Sequence, residues 1–109
     1  MKQEETKFKE RVVDRLKTIP NAWFYKTHEI SRSGVPDIIM CAGGRMIALE
    51  LKTEKGKTSK LQAYNLERIK QAGGFTAVMT PKNFVQLTEQ IRLIAQGGVS
   101  GGSDLPKTA

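Results

Sequence analysis

Asp37-Ile-Ile-Met-Cys-Ala-Gly-Gly-Arg-Met-Ile-Ala-Leu-Glu-Leu-Lys52 is the stretch that decides the fold. It holds two apolar runs, 37–42 and 45–51, joined by Gly43-Gly44. A Gly-Gly pair between such runs predicts a β-hairpin, because glycine supplies positive φ at both central turn positions. Both runs are apolar on both faces, so the hairpin is expected to be central and covered on each side. With the two glycines as the loop, Ala42 faces Arg45, Ile39 faces Ala48, and Asp37 faces Glu50. Opposed residues in an antiparallel pair share a face, with Cβ atoms about 4.5–5.5 Å apart. The strand period of 2 then adds Lys52 to that face. A slip of one residue would separate the two acids.

Working outward, residues 4–19 carry a helical period, with Phe8, Val12, Leu16 and Ile19 on one stripe, ended by Pro20-Asn21. Ala22–Thr27 is aromatic-rich and reads as a first strand. Residues 28–36 form a polar loop containing the lone histidine, His28, which reads as surface. On the other side, 52–60 is a lysine-rich loop, and Ser59 or Thr58 can cap a helix running to about Ala72. Leu61, Leu66 and Ile69 are its expected buried positions. Gly73-Gly74 stops it, and Phe75–Thr80 reads as a fourth strand. Pro81 is expected to open a last helix to about Ala95, with Phe84, Leu87, Ile91 and Ile94 inward. The order is α-β-β-β-α-β-α: an α/β chain with helices flanking a mixed sheet, whose β-α-β unit should be parallel and right-handed. One domain is expected over 1–96, with a Gly/Ser-rich flexible tail over 97–109.

Composition narrows the class of function. Eighteen Lys and Arg against eleven Asp and Glu give a net charge of +7, which favours a polyanionic partner. No apolar run approaches the roughly 18 residues of a membrane span, and the charged start MKQEETKFKE does not read as a secretory signal. The single cysteine, Cys41, lies in an apolar run and reads as a small buried hydrophobe in a reducing compartment. A cytoplasmic location, in a bacterium or a phage-infected host, is the expectation. Trp23 and Tyr25 read as filling the core or a dimer face rather than stacking on bases.

Two facing carboxylates near a covered sheet repel one another unless one is protonated or a cation lies between them. Oxygen ligands suit Mg²⁺ or Mn²⁺, and the backbone carbonyl of Leu51 can add another oxygen. A lysine beside such a centre can position water or stabilise charge on a phosphate. On the first helix, a step of about 100° per residue puts Glu5 near the centre of the apolar stripe, Glu4 at its edge and Glu10 away from it. Glu5 is therefore the expected further ligand. Lys52, Lys55, Lys57 and Lys60 read as a phosphate-contacting arm, extended by Lys26, Arg32 and Arg45. The plainer alternatives are Asp37 as a turn residue after Pro36, Glu50 and Lys52 as a surface pair, and the lysines as a solvated loop.

Gly34-Val-Pro-Asp37, with Glu50-Leu-Lys52 across the hairpin, resembles the PD-(D/E)xK nuclease superfamily. The words GVPDIIMCAGGRMIALELK and TSKLQ resemble its virus-type replication-repair branch, the VRR-NUC domain, over about residues 4–95. The resemblance implies a restriction-endonuclease-like core and Mg²⁺- or Mn²⁺-dependent DNA cleavage. Asp37 and Glu50 would hold the metal, Lys52 would be the catalytic lysine, and Gln62, at the start of the following helix, would lie near the site as a further catalytic residue. Stand-alone members resemble Holliday-junction resolvases, which implies a homodimer acting on branched DNA such as four-way junctions. Two other readings remain: a non-catalytic DNA-binding module on the same fold, and a nuclease subunit that needs a replication or repair partner.

Overall fold

The computed structural model describes residues 4–27, 33–53 and 57–97. The elements are α1 (Glu4–Leu16), β1 (Ala22–Lys26), β2 (Ile38–Ala42), β3 (Arg45–Leu51), α2 (Lys60–Gln71), β4 (Phe75–Met79) and α3 (Phe84–Gly97). The strands form one sheet in the order β1-β2-β3-β4. β1–β2 and β2–β3 are antiparallel, and β3–β4 is parallel. The order of elements and the parallel β3-α2-β4 unit agree with the sequence reading.

Turn chemistry sets the hairpin. Gly43 and Gly44 both have positive φ, at 59° and 82°. The resulting register pairs Ala42 with Arg45, Ile39 with Ala48 and Ile38 with Leu49. A side chain on Gly43 would also meet the backbone of α3 at Ala95. Asn21, itself at positive φ, accepts from the Gly43 N–H at 3.0 Å and donates its side-chain amide to the Ala95 carbonyl at 3.0 Å. The turn is thereby tied to the end of α3.

The two sheet faces are treated differently. Ile38, Met40, Ala42, Ile47, Leu49 and Leu51 belong to the main core, together with Phe8, Val12 and Leu16 of α1 and Phe84, Ile91 and Ala95 of α3. Full burial of side chains this size contributes about 1.5–3 kcal/mol each. Arg15 fastens α1 to α3 through Thr88 at 2.9 Å and Glu89 at 3.0 Å. The opposite face is covered by α2, which packs on β4 and β3. Toward β1 and β2 no described residue covers that face, and Trp23, Cys41 and Met46 stand exposed on it.

Several expectations are corrected here. The hairpin strands are central, but only half of their second face is covered, so Cys41 and Met46 are exposed. Trp23 and Tyr25 are not in the core: they are 65% and 41% exposed. Leu61 is exposed rather than buried, because it packs over the 33–36 turn instead of the sheet. Helix α3 begins at Phe84, not at Pro81. The Asn83 side chain accepts from the Thr80 N–H at 2.7 Å and donates to the Val78 carbonyl at 3.1 Å, which holds 80–83 as a turn ahead of the helix. Of the expected 97–109 tail, Gly97 ends α3, and 98–109 lie outside the described residues.

Candidate active site

The end of the hairpin away from its turn carries the acids. Thr27 N–H donates to the Asp37 carbonyl at 2.9 Å, and the Thr27 hydroxyl donates to the Pro36 carbonyl. These bonds carry the β1–β2 pairing one step past the strands. Across from it, the register places Glu50 opposite Asp37, one step beyond the Ile38–Leu49 pair. Asp37 Oδ2 accepts from the Leu51 N–H at 2.7 Å, so this carboxylate also closes the open end of the ladder.

A second brace comes from α2. The Gly34 carbonyl accepts from Asn65 Nδ2 at 2.8 Å, and Gly34 adopts φ +81°. Its missing side chain matters, since a Cβ would stand 2.7 Å from Leu61 Cδ2. The turn leading into Asp37 is thus held against α2.

Glu50 is the unusual member. It has no exposed surface, and among the described residues neither carboxylate oxygen has a hydrogen-bond partner. Lys52 Nζ lies 3.3 Å from its Oε2, with the lysine side chain 23% exposed. Burial raises the Glu50 pKa above the ordinary carboxylate range, and the Asp37 charge raises it further. Lys52 and the Asp37 backbone N–H draw it back in part. Neither contact meets strict hydrogen-bond geometry, and the Lys52 ammonium stands at ion-pair distance from the carboxylate.

Orphaned buried oxygens beside a second carboxylate fit a hard divalent cation. Such ions are commonly bound through one or two carboxylates, with water or phosphate completing the shell. Asp37 and Glu50 are the residues that would hold it, with the Leu51 backbone adjacent. Among the described residues no group of three or more His, Cys, Asp or Glu is placed to hold a metal. Glu5 accordingly does not join the pair. It is exposed and forms an ion pair with Lys9 at 3.8 Å, since burial along α1 begins only at Phe8, almost a turn further on.

The remaining expected residues separate clearly. Gln62 completes a capping box: it accepts from the Ser59 N–H at 3.1 Å and donates its own N–H to the Ser59 hydroxyl at 3.1 Å. Lys57 and Lys60 are exposed at the start of α2, and Lys26 is exposed at the end of β1. Arg32, Lys55 and His28 lie outside the described residues. A small cavity of about 40 Å³ reaches Asp37 between Lys9, Val13 and Lys26. It adjoins a groove of about 520 Å³ along α1 that reaches Lys17. Lys9 was not singled out from the sequence, although its spacing of four to Val13 and Lys17 places all three along one side of α1.

No helix among the described residues is long and apolar enough to cross a membrane. No protein-family model matches the chain, and no curated protein or solved structure is significantly similar to it.

Proposed function

We propose that this chain is a metal-dependent DNA endonuclease of the PD-(D/E)xK type, built on a restriction-endonuclease-like core and similar to stand-alone VRR-NUC domains. The observation that carries the reading is Glu50: wholly buried, without a hydrogen bond to either oxygen among the described residues, opposite Asp37 and 3.3 Å from a lysine. Structural ion pairs are normally hydrogen-bonded, whereas catalytic centres tolerate this kind of local cost.

When bound, Mg²⁺ or Mn²⁺ would supply Lewis-acid activation of a phosphodiester and of the attacking water. Asp37 and Glu50 would hold the ion, and the Leu51 N–H fixes one Asp37 oxygen so that the carboxylate cannot rotate freely. Lys52 Nζ is held at the site by Glu50 and can donate to a phosphate oxygen as charge accumulates there. The exposed Lys57, Lys60 and Lys26, with a net charge of +7, favour contacts to the DNA backbone. Branched DNA, four-way junctions included, is the proposed substrate, cut by a homodimer.

The test is a cleavage panel of single-stranded, duplex, flap and four-way-junction DNA with each metal. Lys52→Ala should abolish cutting while leaving the melting temperature near that of the parent. Undiminished cutting by that variant sinks the mechanism. The high charge also suits a non-catalytic DNA-binding module, and salt-sensitive binding with no cleavage under any divalent metal would favour it. Cleavage that appears only with an added replication or repair protein would mark a partner-dependent subunit.

A further inference from the structure

The open half of the second sheet face carries a row of exposed apolar side chains. Trp23 pairs with Cys41 and Cys41 with Met46, so these three cross the sheet side by side. Tyr25, Ile39 and Ala48 form the next row, and Asp37 and Glu50 stand in the row after that. Rows on one face are two residues apart, so Tyr25 is roughly 7 Å and Trp23 roughly 13 Å from the acidic row. The Trp23 and Tyr25 rings are parallel, 5° apart in plane, with centroids 6.4 Å apart. Neither ring is covered by the described residues of this chain: the exposures are 65% and 41%.

The helix beside this face continues the same chemistry. Asn65 reaches Gly34 below it, so the helical period puts Leu61, Tyr64 and Arg68 along the flank of α2 nearest the open strands. Tyr64 is 55% exposed and carries the Arg68 guanidinium 5.8 Å from its ring centroid. Parallel aromatic rings with the Arg68 guanidinium at Tyr64 beside them suit a polyanion with flat bases better than an apolar partner, because each ring offers a π-face and the cation a phosphate contact.

We infer that the open face is a stacking platform for unpaired bases of a DNA strand, with Trp23 and Tyr25 as its rings, leading one strand toward the Asp37–Glu50 row. This deepens the nuclease reading and rests on it for the relation between platform and cutting site. The platform would favour substrates with unpaired nucleotides beside the cleaved bond, because a duplex keeps its bases stacked within the helix.

Trp23 is the only tryptophan, so its emission reports on this face directly. The native protein in EDTA should show Trp23 quenching on titration with a short oligothymidylate. Trp23→Ala and Tyr25→Ala should each weaken single-strand binding roughly ten-fold by fluorescence anisotropy. Affinity for a blunt duplex should be unchanged, and Trp23→Phe should keep most single-strand affinity. Three results would overturn the inference: binding without change in Trp23 emission, equal losses on duplex and single strand, or sedimentation showing a dimer that Trp23→Ala splits with single-strand affinity intact. The last would assign the face to a second copy of this chain. Strand binding through the rings without cleavage under any metal upholds the platform and removes the nuclease reading. Cleavage by a protein whose Trp23 emission ignores single strands does the reverse.

Discussion

A buried carboxylate without hydrogen bonds, as Glu50 is among the described residues, destabilises the fold that holds it whenever it is ionised, and that effect depends on pH. Its pKa is raised in the folded chain, first by burial and then by Asp37. The native state therefore holds this proton more tightly than the unfolded chain does. By linkage, the Glu50 contribution to stability is fully present below the ordinary glutamate pKa and is lost as pH rises through the raised native value. Metal-free Glu50→Gln should flatten that part of the profile and melt higher at neutral pH. A gain of about 1 kcal/mol corresponds to about 4–8 °C in a domain this size. Melting curves in EDTA across acid to neutral pH decide this, and a lower melting temperature for the variant at neutral pH contradicts it. Mn²⁺ should restore the parent, by about 2.7 kcal/mol at a hundred-fold excess over Kd, and leave Glu50→Gln unmoved. The trio of Asp37, Glu50 and Lys52 was legible in the sequence because a Gly-Gly turn leaves the register little freedom. Glu5 was misplaced for an equally physical reason. The stripe angle was right, but a residue at the first turn of a helix can lie past the edge of the surface it would cover.

Among the elements, the turn before β2 and the start of α2 act on the site from outside it. Gly34→Ala combines a left-handed backbone with a clash against Leu61 and should cost about 1–3 kcal/mol. Because that turn delivers Asp37, cleavage should fall more than stability predicts, as a comparison of kcat with urea midpoints would show. At the cap, Ser59→Ala should cost about 1 kcal/mol, and Gln62→Ala a similar amount, since each supplies half of one box. If Gln62→Ala instead lowers kcat with an unchanged midpoint, Gln62 serves the reaction and not the helix. The capping role was readable from Ser59 and the residue three places on, but the resemblance pointed to catalysis. The start of α3 was not readable: proline favours a first helical position, yet here Asn83 binds both Thr80 and Val78 and delays the helix to Phe84.

For the whole molecule, burial on the two faces of β2 and β3 was the least legible property. Runs such as Ile38–Ala42 are apolar on both sides and do not say how far a helix will extend over each. One helix, α2, covers β3 and β4 and stops short of β1, which leaves Trp23, Cys41 and Met46 outside. The charge on the same surfaces makes a further prediction. Binding to duplex DNA should weaken steeply with salt, and removing one lysine that contacts a phosphate should lower the log–log slope by about 0.9. Lys57→Ala and Lys60→Ala are the variants to compare, and slopes identical to the parent would take both residues off the DNA.

Cys41 stands on that open face between Trp23 and Met46, and it is the chain's sole thiol. The native protein therefore comes with a built-in labelling position. A maleimide dye should attach there at a single site without any engineered residue. A photocrosslinker at the same sulfur would record which molecule rests on the face and the nucleotide or amino acid it meets.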